Sequence, residues 1–276
     1  MTGQLHCPLG TFPGVSDVPM IQKNLCVDYP PFDTEIPDQY RVDIFLKEFN
    51  QYVANGNLPT LTYLWLCDDH TSGISAGFPT PAAQLADNDL ALGRVVDAIS
   101  HSPYWTDSVI FVTEDDAQDG VDHVDGYRTE GYVIGPFVKR NAVDSTYYNQ
   151  VSMIRTIEQI LGLPPMNQHD LFTRPMYSVF TNAANYTPYS VLPANIPLNQ
   201  LTPETAATTS KIQLAWEKES AAMFARPPKA DSEDPELLNR AIWYATEGFN
   251  TPYPGDKAVL LPSQVKRSPH RDTYDD

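Results

Sequence analysis

Residues 108–125 read Ser108-Val109-Ile110-Phe111-Val112-Thr113-Glu114-Asp115-Asp116-Ala117-Gln118-Asp119-Gly120-Val121-Asp122-His123-Val124-Asp125. The first six residues are rich in β-branched and aromatic types and read as a buried strand. The next twelve carry six acids and one histidine, with no lysine or arginine among them. A core strand that runs straight into such a cluster puts negative charge at the rim of a sheet, where open α/β sheets bind ligands. Crowded carboxylates repel one another and raise each other's pKa values unless a cation neutralises them. A solvated acidic loop is the plainer alternative, but such loops seldom follow a core strand directly or include an Asp-His pair. A calcium hand does not fit. Counted from Asp115, Asp119 and Gly120 fall at its fifth and sixth places, but Ala117 takes the third and Gly126 the twelfth. Mixed carboxylate and imidazole donors suit zinc, manganese or iron better than calcium.

Working outward, Leu61-Thr62-Tyr63-Leu64-Trp65-Leu66 is a second apolar run and is expected to be a buried parallel strand. It leads into Cys67-Asp68-Asp69-His70-Thr71-Ser72-Gly73. Thr80 and Pro81 open the helix between the two runs, with Leu85, Leu92, Val96 and Ile99 as its core stripe. Strand, helix, strand is βαβ geometry, which brings both strand ends to one edge and the two Asp/His loops together. Asp89 falls on the apolar stripe and needs a partner there, most simply a backbone amide or an arginine.

Elsewhere, Asp38 is expected to cap a helix carrying Val42, Phe45, Leu46 and Phe49, stopped by Gly56. Glu130–Ile134 reads as a third strand. Asn149 caps a helix carrying Val151, Ile154, Ile157 and Leu161, ended by Gly162. Thr202-Pro203-Glu204 is expected to open a helix running to about Phe224, and Asp234-Pro235-Glu236 another, ended by Gly248. The organisation expected is an irregular proline-rich lead over 1–35, an α/β domain over 36–190, and a helical extension with a polar tail over 191–276. His6, His101, His169 and His270 lack acidic companions in sequence and read as surface residues.

The chain has 276 residues and a formal charge of −17, with 42% hydrophobic residues. That composition excludes a wholly disordered chain, and no apolar run is long enough to span a membrane. The acidity argues against nucleic acid or an anionic membrane surface as partner and is compatible with divalent cations. Of three cysteines, Cys67 reads as a small buried hydrophobe, while Cys7 and Cys26 can pair only in an oxidising compartment. The first thirty residues carry no basic segment followed by an apolar core. There is no glycine-rich phosphate loop and no Gly-x-Ser-x-Gly elbow.

At its two Asp/His loops the sequence resembles the phosphoesterase family of the alkaline phosphatase superfamily, which includes bacterial phospholipases C and acid phosphatases. Asp115-Asp116-Ala117-Gln118-Asp119-Gly120-Val121-Asp122-His123-Val124 is similar to that family's Asp-Glu-His-Gly-Gly-x-x-Asp-His-Val element, and Trp65 to Gly73 to its Trp-Leu-x-x-Asp-His-Thr-x-Gly. Ser102-Pro103-Tyr104-Trp105 and Arg155-Thr156-Ile157-Glu158 through Leu161-Gly162-Leu163-Pro164 extend the likeness, which runs from about Ile36 to Thr181. The resemblance implies a metal-dependent hydrolase of phosphate esters, built on an alkaline phosphatase-like α/β sandwich and exported or periplasmic. It implies Asp115, Asp116, Asp122 and His123 as ligands of a divalent ion (zinc, manganese, iron or calcium), and His70 beside the phosphate or leaving group. Two departures stand out. Close relatives show Asp-Ala-His-Arg where this chain has Asp125-Gly126-Tyr127-Arg128. The family's early Glu-Asn pair and its nucleophile find no match, since Thr71 and Ser72 are only local hydroxyls. The resemblance therefore implies the C-terminal half of the domain, with self-association or a separate N-terminal half expected. The alternative is a catalytically inactive metal-binding remnant or scaffold of the same fold.

Overall fold

A computed structural model describes residues 15–115, 129–203, 209–225 and 233–254. Its helices are α1 (Pro19–Asn24), α2 (Asp38–Asn55), α3 (Pro81–Ser100), α4 (Gln150–Leu161), α5 (Gln168–Phe172), α6 (Lys211–Met223) and α7 (Pro235–Glu247). Its sheet has two strands, β1 (Ile110–Thr113) and β2 (Gly131–Ile134), paired antiparallel with Ile110 opposite Ile134 and Thr113 opposite Gly131. Mixed helix and sheet in one chain is an α/β arrangement. No helix among the described residues is long and apolar enough to cross a membrane.

The expected parallel βαβ unit does not form among the described residues. Leu61–Leu66 makes no strand ladder, because β1 pairs with β2 instead. The run is apolar for another reason. Leu64 and Leu66 pack against the core of Val42, Ala91 and Val95, joined by Phe45, Leu46 and Ile99, while Leu61 and Tyr63 stay 60% and 85% exposed. This core is the seam between α2 and α3.

Helix α3 starts as its sequence requires: the Thr80 hydroxyl accepts from Ala83 N at 3.2 Å, and Pro81 opens the first turn. Its buried face differs from the expected stripe. Ala83, Asp87, Ala91 and Val95, at four-residue spacing, face inward, and Leu85 is 48% exposed. Small residues win that face because α2 lies against it. The acid on the face is therefore Asp87, not Asp89, which is exposed.

Asp38 is the first helical residue of α2 rather than its cap, a position taken by Pro37. Helix α4 has the expected Asn149 cap, reinforced by Ser152 in a reciprocal capping box, and ends on Gly162. Helix α6 starts later than expected. Ser210 caps it, accepting from Gln213 N at 3.1 Å, and Thr202 instead joins an extended pairing in which its N–H donates to Phe78 O at 2.7 Å. Asp234 caps α7 as expected. Cys67 is a buried thiol; Cys7, His6 and His270 lie outside the described residues. His101 is exposed but does have an acidic companion, Asp97 at 3.2 Å.

Helices α6 and α7 pack on each other through Trp216 and Tyr244, with ring centroids 5.4 Å apart. They also pack on the loop after Cys67. Ser220 Oγ accepts from Ile74 N at 3.1 Å, and the side chains of Ser220 and Leu238 surround Gly73. Gly73 has φ +60, and a Cβ there would stand 2.8 Å from Ser220 Oγ. Gly73→Ala is expected to lower unfolding free energy by about 1–3 kcal/mol, read by urea denaturation, because backbone strain and overpacking add.

Candidate functional site

The loop Cys67–Gly73 is held over the N-terminus of α2 by charge. Proline at the N-cap offers no side-chain acceptor, so the first N–H groups of α2 find carboxylates from elsewhere. Asp68 Oδ2 accepts from Asp38 N at 3.3 Å, and Asp87 Oδ2 accepts from Gln39 N at 3.2 Å. Asp38 returns the contact: its carboxylate accepts from Cys67 N at 3.2 Å, Asp68 N at 3.0 Å and Asn88 Nδ2 at 3.0 Å. Anions at a helix N-terminus also meet the positive end of its dipole.

Arg41 neutralises this knot. It is 1% exposed. Its guanidinium donates to Asp38 Oδ1 at 3.1 Å, to the carbonyls of Pro31 and Asp33 at 2.9 Å each, and to the carbonyl of Ile36. Asp68 Oδ1 lies 3.8 Å from Arg41 Nη1. Burial opposes the Arg41 charge, but Cys67, Asp38 and Asp68 around it outweigh burial and raise its pKa. Burial, with Asp38 and Asp87 nearby, pushes the Asp68 carboxyl up to about 10. Burial raises Asp87 as well, and Asp68 Oδ1 and Asp87 Oδ1 are buried without a hydrogen-bond partner.

Asp38, Cys67 and Asp68 present ligand atoms within 4.8 Å of one another, close enough to share one ion. That makes them a possible metal-binding group; Arg41 Nη1, 3.1 Å from Asp38 Oδ1, already supplies one positive charge to it, and burial raises both the Asp68 carboxyl and the Cys67 thiol.

The neighbouring edge is different. Asn88 Nδ2 bridges Asp38 to Asp69 Oδ1, the latter at 3.3 Å. Burial pushes Asp69 up to about 6, and the charges of Asp38 and Asp115 push in the same direction. Burial also raises Glu114, helped by Asp69, Glu130 and Asp115. The turn after Cys67 and the exit of β1 are thus near enough for their charges to act on each other, although no parallel strand pair brings them there. Gln150, the first residue of α4, fixes that exit by donating to the carbonyls of Glu114 and Asp115 at 2.8 and 2.7 Å. Of the candidate ligands, Asp115 is on this edge, while Asp116, Asp122 and His123 lie outside the described residues.

His70 ends the short 3-10 turn Asp68–His70. Its Nδ1 is 3.1 Å from Thr71 O, its ring stands edge-on to Phe32 at 5.1 Å, and its Nε2 faces Glu233 at 3.9 Å. Thr71 has φ 62 and ψ 165, a conformation that β-branched residues rarely adopt, so its hydrophobic and polar surroundings hold it under strain. Thr71 and Ser72 are buried, and Ser72 Oγ donates to Thr34 Oγ1 at 2.8 Å. Both hydroxyls are thus engaged in building the loop. Sequence reasoning passed over Arg41, Asp87 and Glu233. The first two carried a legible signal, since each is a charge on the inward stripe of a helix. Glu233 carried none, being far from His70 in sequence.

Arg41→Met is expected to lower unfolding free energy by about 3–5 kcal/mol in urea titration, because it leaves buried carboxylates without their cation. For Asp69, the raised folded pKa means that the folded state binds the proton more tightly than the unfolded state. Its stabilising protonation is fully present below pH 3.8 and is lost as pH rises through about 6. Asp69→Asn is therefore expected to raise unfolding free energy above pH 6, by at most about 3 kcal/mol, and to change little below pH 4. Melting temperatures across that range check it.

No curated protein matches the chain. The Phosphoesterase family model matches residues 27–164, half of the chain, and so covers α2, the turn bearing His70, α3, both strands and α4. On that match, the chain belongs to the Phosphoesterase family.

Proposed function

We propose that the chain serves the metal-dependent hydrolysis of phosphate esters, mono- or diesters, as part of an alkaline phosphatase-like α/β sandwich. The observation that carries this reading is family membership over residues 27–164, and the charge of Asp115 at the end of β1, acting on Asp69 beside the turn that carries His70, agrees with it. In this reading Asp115, with Asp116, Asp122 and His123 of the segment that follows, would hold a divalent cation. Such an ion, when bound, polarises a phosphoryl oxygen and lowers the pKa of an attacking hydroxyl. His70 would stand at the wall of the site, where its imidazole donates a proton to the leaving oxygen or stabilises its charge. Asp69 and Glu114 would keep the edge negative, and Gln150 would keep the β1 exit in place. The functional domain in this reading runs over residues 36–190.

One observation favours a second reading, a metal-binding member without turnover. The hydroxyls nearest His70, those of Thr71 and Ser72, are buried in the loop and offer no nucleophile. A single set of assays separates the two. The chain is given an aryl phosphate monoester or diester with zinc, manganese or calcium, and ion binding is followed by calorimetry. The first reading expects turnover that depends on the ion and falls at least about 100-fold in Asp115→Ala. Ion binding without turnover favours the second, and turnover unchanged in Asp115→Ala removes the first.

A further inference from the structure

Glu233 belongs to the C-terminal part of the chain, outside residues 27–164, yet it reaches the turn that carries His70. It stands immediately before Asp234, the residue that caps α7. Its side chain is 5% exposed, while that of His70 is 19% exposed, so the pair faces largely away from water. Their atoms, Glu233 Oε2 and His70 Nε2, are 3.9 Å apart, a charge contact rather than a hydrogen bond.

The rest of the ring's surroundings are fixed. Thr71 O accepts at Nδ1, and Phe32 closes one side of the ring. Both ring nitrogens therefore face acceptors. Thr71 O at Nδ1 fixes the orientation of the ring, and because 3.9 Å is too long for a hydrogen bond, Nε2 is not consumed by Glu233 and stays available to donate, with the carboxylate beside it constraining the ring. Thr71 itself is strained, so the ring's carbonyl partner is held in place by surrounding packing rather than by local preference. That packing includes α6 and α7, through Ser220 and Leu238 against Gly73.

We propose that Glu233 is a positioning residue for His70, and that the segment carrying α6 and α7 thereby completes the phosphate-ester site rather than merely extending the fold. The catalytic part of this inference rests on the hydrolase reading above; the pairing itself does not.

The test uses the full chain and three variants: Glu233→Gln, which keeps shape and loses charge, Glu233→Asp, and His70→Asn. Ring signals of His70 in nitrogen-15 NMR report the pairing without any activity. They are expected to move in Glu233→Gln, while those of His101 and His169 stay in place. In the aryl phosphate assay with added divalent ion, Glu233→Gln is expected to lose about tenfold or more in kcat with KM little changed. Glu233→Asp is expected to recover part of that loss. Glu233→Gln combined with His70→Asn should be no slower than His70→Asn alone, because both act through one group. Unmoved His70 signals, or losses that simply multiply in the double variant, would overturn the proposal. Moved signals in a chain that turns over no phosphate ester would uphold the pairing and refute the hydrolase reading instead.

Discussion

The buried guanidinium of Arg41 is the contact on which the rest of this structure depends. It gathers the carbonyls of Pro31, Asp33 and Ile36 with the carboxylates of Asp38 and Asp68 around one positive charge. An arginine with so little exposure is tolerable only because its donors are met and its charge is balanced. The same contacts fix the proline-rich approach to α2, the start of α2 and the loop after Cys67 in one arrangement. Asp87 ties α3 into the cluster through Gln39, so the seam between the two helices is set at one end by charge and along its length by Val42, Ala91 and Val95.

Charge balance divides this region into two compartments with different chemistry. Around Arg41, one buried cation balances the neighbouring acids. At Asp69 and Glu114, burial and like charges, that of Asp115 among them, work together. Asn88 joins the compartments by donating to Asp38 and to Asp69. The Arg41 cluster thus fixes the turn that places Asp69 and His70, and moving Asp38 would release it.

The C-terminal helices belong to this design as well. They press Ser220 and Leu238 against Gly73, and the residue preceding α7 meets His70. The loop between Cys67 and Ile74 is therefore held from the α2 side by ion pairs and from the α6 and α7 side by packing. A strained backbone at Thr71 can persist between two such supports.

The charged runs themselves were legible in the sequence: Asp68-Asp69-His70 after an apolar stretch, and the acids after Thr113, of which Glu114 and Asp115 are among the described residues. Helix limits set by Thr80, Asn149, Gly162 and Asp234 were legible too, since caps are local contacts between neighbours in the chain. The Leu61–Leu66 run misled, because an apolar segment reads alike whether its neighbour is a strand or a helix seam. Asp89 misled because periodicity fixes a stripe only to within a residue or two, and the close approach of α2 to the small residues of α3 shifts it to Asp87. The sequence by itself determined which residues carry charge and where the local elements start and stop, as these depend on near neighbours. Only the tertiary structure decided which carboxylates Arg41 neutralises, which remain as a negative edge, and that Glu233 reaches His70, because burial and pairing across long separations exist only once the chain is folded.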